Sequence, residues 1–315
     1  MGKRSYVFAT GGLGNQLFQV AAALGSGRDE LVVLPNQANA RKNASGNLDI
    51  EDFSFGEYLD IDRATKLWLI SQKGINYTLR HFASMRIDEP RRIFSKLVLL
   101  ATSTLLTLNL KQPVKILANR GLGFDPIALA KRGEHFYIGY FQSFKSLHNS
   151  NVRFAMQSMK LKNESTILEE FSRYANSEEP LIVHVRMGDY SDSDLFGILP
   201  KSYYEEAIGY LWGSGMYKKI WLFSDEPDKA INQIPENLKN YVRVIPDFEG
   251  STPITFEVMR LGRGYVIANS SFSWWAASLA HASEAEIAAP DVWFKKSTSP
   301  EQILPPHWIK FNAWK

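Results

Sequence analysis

Short apolar runs alternate with longer amphipathic stretches along this chain. Tyr6–Ala9, Glu30–Pro35, Leu181–Val185, Lys219–Phe223, Tyr241–Ile245, Tyr265–Ala268 and Ile287–Ala289 are brief and mostly β-branched or aromatic, which predicts strands. Helical spacing is predicted over Leu17–Leu24, Asn151–Tyr174, Ser202–Leu211, Ile254–Arg260 and Trp274–Ala280. Strands that alternate with helices predict an α/β protein with parallel sheets. Polar Asn176–Pro180 reads as a linker. It divides the chain into an α/β domain over 1–175, a second over 176–300, and a tail over 301–315 that packs back on the first.

Ile93–Leu110 fits none of these patterns. It is apolar, but Lys96, Thr102, Ser103, Thr104, Thr107 and Asn109 interrupt it. Its uninterrupted apolar run is too short for a bilayer span. Two readings stay open: a buried helix, or an interfacial helix lying on anionic lipid.

The polar residues that end the strands carry the candidate chemistry. In Leu181–Tyr190, LIVHVRMGDY, His184 and Arg186 stand at i and i+2 and share a strand face. At the carboxyl edge of a parallel sheet, one can meet a base or ribose and the other phosphate. A simple pairing of Arg186 with Asp189 across the turn is the competing reading. Thr10–Gln16 is a glycine-rich turn between a strand and a helix, where backbone N–H groups can meet an anion or a sugar hydroxyl. Its spacing is neither a dinucleotide fingerprint nor a P-loop, and a tight turn without a ligand fits it equally.

Asp225 ends the Lys219–Phe223 strand, as a ribose or base contact or as the cap of a helix starting near Pro227. Asn269, Ser270, Ser271 and Phe272 open the helix after Tyr265–Ala268. First-turn N–H groups there can cradle a diphosphate without a metal, or simply start a capped helix. Trp274 and Trp275 read as packing. Tyr137–Phe144 interleaves rings with Gln142 and Ser143, which suits a carbohydrate or a core strand.

Composition narrows the chemistry. With no cysteine in 315 residues, disulfides, thiolate catalysis and cysteine metal sites are excluded. No His-x-x-x-His or His-Glu pair offers a zinc site. The net charge of +3 argues little for nucleic acid, yet Arg80 to Arg120 holds eight basic residues against two acidic ones, or +6. The N-terminus lacks the apolar run of a signal peptide, so a cytoplasmic location is expected, with peripheral contact at the inner membrane surface through the basic segment.

Three blocks, Gly11-Gly12-Leu13-Gly14-Asn15-Gln16-Leu17-Phe18-Gln19, His184-Val185-Arg186-Met187-Gly188-Asp189-Tyr190 and Asn269-Ser270-Ser271-Phe272-Ser273-Trp274-Trp275, resemble the hallmark blocks of the α-1,2-fucosyltransferases of glycosyltransferase family 11. Tyr140-Phe141-Gln142-Ser143 and Phe223-Ser224-Asp225-Glu226 resemble two lesser blocks. The resemblance implies a GT-B architecture, two Rossmann-like domains facing across a cleft. It implies inverting, metal-independent transfer from GDP-L-fucose to the 2-hydroxyl of a terminal galactose, in O-antigen or histo-blood-group-like glycans. No cofactor is implied.

By the same resemblance Arg186 grips the β-phosphate, and His184 and Asp225 contact the nucleoside. Ser270, Ser271 and Phe272 line the diphosphate site, Asn269 before them belongs to the same donor-binding set, and Gly14 and Asn15 lie near the reacting sugar. Asp189 is the nearest candidate base and Glu257 a remoter one. Fucosyl transfer to another linkage, α-1,6 or protein O-linked, is the alternative activity, and a non-catalytic nucleotide-sugar-binding protein is a further one. Two positions depart from the family pattern. Met187 replaces a common second arginine, and Phe144-Lys145-Ser146 replaces the usual continuation of the Phe-Gln-Ser block.

Overall fold

The computed structural model describes residues 4–25, 30–40, 48–54, 68–85, 93–110, 113–123, 135–188, 196–295 and 302–314. The chain forms two compact units, Met1–Lys160 with Pro300–Ile303, and Leu161–Ser299 with Leu304–Lys315. The division falls at 160/161 rather than at 175/176. The tail is shared: Pro300–Ile303 group with the first unit and Leu304–Lys315 with the second.

In the first unit, β1 (Arg4–Gly11), α1 (Leu13–Leu24), β2 (Glu30–Ala40), α2 (Trp68–Ala83), α3 (Ile93–Leu110), β3 (Lys115–Ala118), β4 (His135–Ile138) and α4 (Ser150–Gln157) follow in order. The sheet runs β2-β1-β4-β3, all parallel. Tyr6, Phe8, Phe136 and Ile138 from the strands meet Ile75 and Leu79 of α2 and Leu106 of α3 in one buried cluster. The open reading of Ile93–Leu110 therefore resolves as a helix that buries only one side.

The second unit continues with α5 (Thr166–Glu178), β5 (Pro180–Val185), α6 (Lys201–Trp212), β6 (Lys219–Ser224), α7 (Pro227–Ala230), β7 (Val242–Val244), α8 (Thr252–Met259), β8 (Gly264–Val266), α9 (Ser271–Ser278), β9 (Glu286–Pro290) and β10 (Ile309–Phe311). Its sheet runs β10-β9-β8-β5-β6-β7, all parallel. Counted within the unit, that is the order 6-5-4-1-2-3 of dinucleotide-binding folds, whose direction reverses between β5 and β8. Leu181, Val183 and Val185 face Tyr204, Ile208 and Leu211 of α6. On the other side, Phe171 of α5 stands edge-on to Trp221 and Phe248, with ring centroids 5.5 and 5.1 Å apart. The α/β class and the two parallel-sheet units are as expected.

Local readings fail where distant partners decide. Asn151–Tyr174 is two helices, and Ser165 caps the second by accepting from Leu168 N–H at 3.3 Å. The expected linker is instead the last turn of α5, ended by Glu179 in the left-handed region at φ 41°. Glu178 holds that turn in place. It accepts from Trp221 Nε1 at 2.7 Å and pairs with Arg243.

Candidate functional site

In a doubly wound sheet, ligands sit beyond the carboxyl ends of the strands where the order reverses. In the second unit that point lies between the ends of β5 and β8, the two strands that run into His184-Val185-Arg186 and Asn269-Ser270-Ser271-Phe272. Both strand ends are fixed by neighbouring tyrosines of α6. Tyr204 hydroxyl donates to the His184 carbonyl at 3.3 Å, and Tyr203 hydroxyl to the Ile267 carbonyl at 2.7 Å. Both rings are fully buried, so the hydroxyls are held by packing.

Past β5, one carboxylate organises the turn. Asp225, at the end of β6, accepts from Met187 N–H at 2.9 Å through Oδ1 and from Gly188 N–H at 3.0 Å through Oδ2. Arg186 Nη1 stands 3.1 Å from the same Oδ2. A Cβ on Gly188 would come within 2.8 Å of that oxygen, so the close approach needs glycine. Burial alone would push the Asp225 carboxyl up. The Met187 N–H and the Arg186 guanidinium outweigh it and hold the group below its ordinary range.

Asp225 is thus the strap of the Arg186–Gly188 turn, and it is not the cap of α7. The N-cap position of α7 is Glu226, whose side chain makes no capping bond. Met187 points the other way, buried in the core on the α6 side. Its departure from the family pattern is therefore a packing difference.

His184 lies on the opposite strand face from Val183 and Val185. It is buried, with its ring 6.3 Å from that of Phe272. Burial, and next the Arg186 charge, push its pKa down to about 3. Its Nδ1 has no hydrogen-bond partner among the described residues. A neutral imidazole with a spare ring nitrogen can recognise a base or hydroxyl, and it cannot serve as a proton reservoir near pH 7.

Unfolded His184 takes up a proton near 6.5 and folded His184 near 3, so acidification across that window favours the unfolded chain. Each pH unit there should cost about 1.4 kcal/mol from this residue. Urea unfolding of the wild type should lose stability more steeply from pH 6 to 4 than that of His184→Gln. Equal slopes would show that the imidazole is charged in the folded state.

The serine turn opens α9. Asn269 is buried, and its amide donates to the carbonyls of Phe196 and Trp293 at 3.0 and 3.1 Å. Those bonds tie two neighbouring segments together and fix the Asn269 amide at the foot of the turn. Ser270 is buried at the N-cap of α9, while Ser271 and Phe272 are half-buried at its first turn. The first-turn N–H groups of α9 lie beyond reach of any i−4 carbonyl. Trp274 and Trp275 are wholly in the core, as read.

Glu257, the remoter base candidate, is excluded by its surroundings. It is buried and paired with Arg260 Nη1 at 2.5 Å, with His281 Nε2 3.6 Å from its other oxygen. Arg260 Nε also donates to the Leu279 carbonyl at 2.8 Å, so this cluster joins α8 to the end of α9. Asp189 lies outside the described residues. Among the described residues no group of three His, Asp or Glu could hold a metal ion.

The first unit has its own reversal, between β1 and β4. Gly11 adopts φ +75°, and a Cβ there would stand 2.5 Å from Asn15 Nδ2. Glycine is what lets the Asn15 side chain fold over the turn. Gly14 is buried beside it in α1. Asn15 Oδ1 accepts from Gln142 Nε2 at 2.9 Å, which joins the glycine turn to the loop after β4. That loop is strained: Phe141, a non-glycine residue, holds φ 53°.

Gln16 and Gln19 are braces. Gln16 Nε2 donates to Gly11 O at 3.0 Å, and Gln19 Oε1 accepts from Thr10 N–H at 3.0 Å. Gln142 was readable only as part of an aromatic block. Its link to Asn15 spans 127 residues, and no local pattern shows it.

Comparison with known proteins adds to this geometry. A family model described as glycosyl transferase family 11 matches residues 116–312. The O-antigen biosynthesis glycosyltransferase WbnK of Escherichia coli is 34% identical over 116 residues, which cover 36% of this chain and 38% of that protein. An alpha-1,2-colitosyltransferase of Escherichia coli is 26% identical over 192 residues, 58% of this chain and 64% of that protein. The chain thus spans less than two thirds of the length of either relative. Among solved structures, POFUT1 in complex with GDP aligns at 14% identity and a TM-score of 0.48, over 91% of this chain and 98% of that one.

Proposed function

The chain belongs to glycosyltransferase family 11, and from that premise we propose that it is an inverting, metal-independent galactoside 2-α-L-fucosyltransferase. It moves L-fucose from GDP-β-L-fucose to the 2-hydroxyl of a terminal galactose. The observation that carries this reading is Arg186 at the sheet's reversal point, strapped by Asp225 beside a neutral His184 and the first turn of α9. That constellation suits a nucleoside diphosphate. His184 meets the nucleoside, Arg186 the β-phosphate, and the N–H groups around Ser271 and Phe272 the remaining phosphate oxygens.

In the reaction the galactose O2 forms a bond to fucose C1 on the face opposite the departing phosphate. The C1–O bond breaks, GDP leaves with the electron pair, and the hydroxyl proton goes to a base. Asp189 is the proposed base. Arg186 meets the charge that develops on the leaving phosphate. Gly14 and Asn15, with Asn15 oriented by Gln142, serve the sugar end. The first relative's name supports an O-antigen product.

A second reading changes only the sugar. The match to an alpha-1,2-colitosyltransferase favours a donor lacking one hydroxyl of fucose, with the linkage kept. One experiment tests both: GDP-fucose and GDP-colitose offered with galactose-ended oligosaccharides, and products resolved by linkage. Fucose on O2 of galactose is the expected product. Preferred use of GDP-colitose moves the assignment to the second reading. Transfer to a 6-hydroxyl or to a peptide, or binding of the donor without turnover, overturns both.

A further inference from the structure

α3 is amphipathic in the wrong sense for a helix of a water-exposed surface. Ser95, Thr102 and Ser103 turn inward with Leu106, while six large apolar residues point outward. Thr102 meets Thr78 of α2 hydroxyl to hydroxyl at 2.9 Å, Ser95 meets His81 Nε2 at 3.0 Å, and Ser103 donates to the Val114 carbonyl at 2.6 Å. Ser95 and Thr102 are buried. By contrast Ile93, Leu100 and Leu108 are 78%, 65% and 71% exposed, and Phe94, Leu97 and Leu105 are exposed with them. At about 100° per residue these six fall within one arc of about 140°, which they share with the exposed Ala101 and Thr104. A monomer in water rarely keeps such a patch without a use for it.

Charge selects the occupant. Neither α2 nor α3 contains an aspartate or glutamate, while Lys73, Arg80 and Lys96 are exposed on them. Lys96 falls at the rim of the apolar arc, one step round from Leu100. Tyr77 of α2, also exposed, stacks on His81, whose ring stands edge-on to Phe94 at 5.4 Å. An apolar strip with a cationic rim and a tyrosine beside it matches the layered chemistry of an anionic bilayer surface. A second copy of the chain docked on the same face would set one cationic rim against another.

α3 spans about 27 Å along its axis, and no helix among the described residues is long and apolar enough to cross a membrane. With its inner side committed to the sheet, the helix can lie on a bilayer but not enter it end-on. We propose that the outer face of α3 docks the first unit onto an anionic membrane, with Leu97, Leu100 and Leu108 in the headgroup–acyl boundary. The proposal is independent of the donor and acceptor assigned above.

The test is co-sedimentation of the full chain with vesicles of phosphatidylglycerol and phosphatidylcholine, and with phosphatidylcholine alone. The wild type should bind the anionic vesicles about tenfold more tightly than the neutral ones. Leu100→Gln/Leu108→Gln should lose most of that binding, with an unchanged circular dichroism spectrum and melting temperature. Arg80→Glu/Lys96→Glu should lose the preference for anionic lipid, and it decides the matter alone if the leucine variant does not fold. Equal partitioning of wild type and variants overturns the proposal. So does a lipid-free wild-type dimer that becomes monomeric in the leucine variant, which would assign the face to self-association.

Discussion

Arg186→Ala is expected to lower turnover about 10³-fold or more while the protein stays folded. The size follows from what the guanidinium is asked to do. As the C1–O bond of the donor breaks, charge grows on the β-phosphate, and a fixed cation in a partly buried site is worth far more there than in water. In the proposed donor complex Arg186 is the cation that meets this charge. It follows a fully buried strand, and Asp225 holds it at 3.1 Å. The fold should survive because Asp225 keeps both of its backbone donors, Met187 and Gly188 N–H, when the arginine is removed.

Arg186→Lys should fall between, keeping the charge and losing the planar fork. Single-turnover rates separate the effects: the bond-breaking step should slow more than donor binding weakens. Near-normal turnover in Arg186→Ala would remove the leaving-group role and, with it, the orientation of the donor proposed here.

The same stretch shows what a sequence can and cannot disclose. Leu181–Val185 was readable as a strand because its apolar residues are consecutive and bounded by Gly-Asp. Its position beside Gly264–Val266 was not, since strand order depends on pairing between segments far apart in the chain. The tail illustrates the limit. Ile309–Phe311 is too short and too mixed to read as a strand, yet it completes the sheet by pairing with Ala288–Pro290.

Polar residues misled where their partners were remote. Glu178 suggested a linker until Trp221 and Arg243 accounted for it. The bonds from Asn269 to Phe196 and Trp293, which no local pattern shows, hold the foot of the serine turn. In α3 the sequence gives alternating apolar and hydroxyl residues, but which side faces the sheet is decided by Thr78, His81 and Val114. The site residues His184, Arg186 and Asp225 were all named by pattern. The bonds from Asp225 to the Arg186–Gly188 turn came only with the structure.

Asp225→Asn tests those bonds. If Asp225 works by holding the Arg186–Gly188 turn, the amide is a poor substitute. One of its two ends becomes a donor and must face either the Met187 N–H, or the Gly188 N–H with the Arg186 guanidinium, all of them donors themselves. The turn should loosen, with a stability loss of about 1–3 kcal/mol from unmatched groups. Transfer should fall about 10²-fold, with kcat falling as well as donor KM rising, because Arg186 would no longer be aimed.

The pH dependence has a defined sign. The Asp225 carboxyl is depressed from its ordinary 3.8, so its contribution is present above that value and is lost as pH falls through the folded pKa. Asp225→Asn should therefore show less acid-induced loss of stability below pH 4 than the wild type. A variant that raises donor KM while leaving kcat, melting temperature and acid unfolding unchanged would mean that Asp225 leaves the turn and touches the nucleoside directly. Retention of full activity by Asp225→Asn would mean that Arg186 is held by something other than the strap, and the geometry of the donor site would have to be built again from the arginine outward.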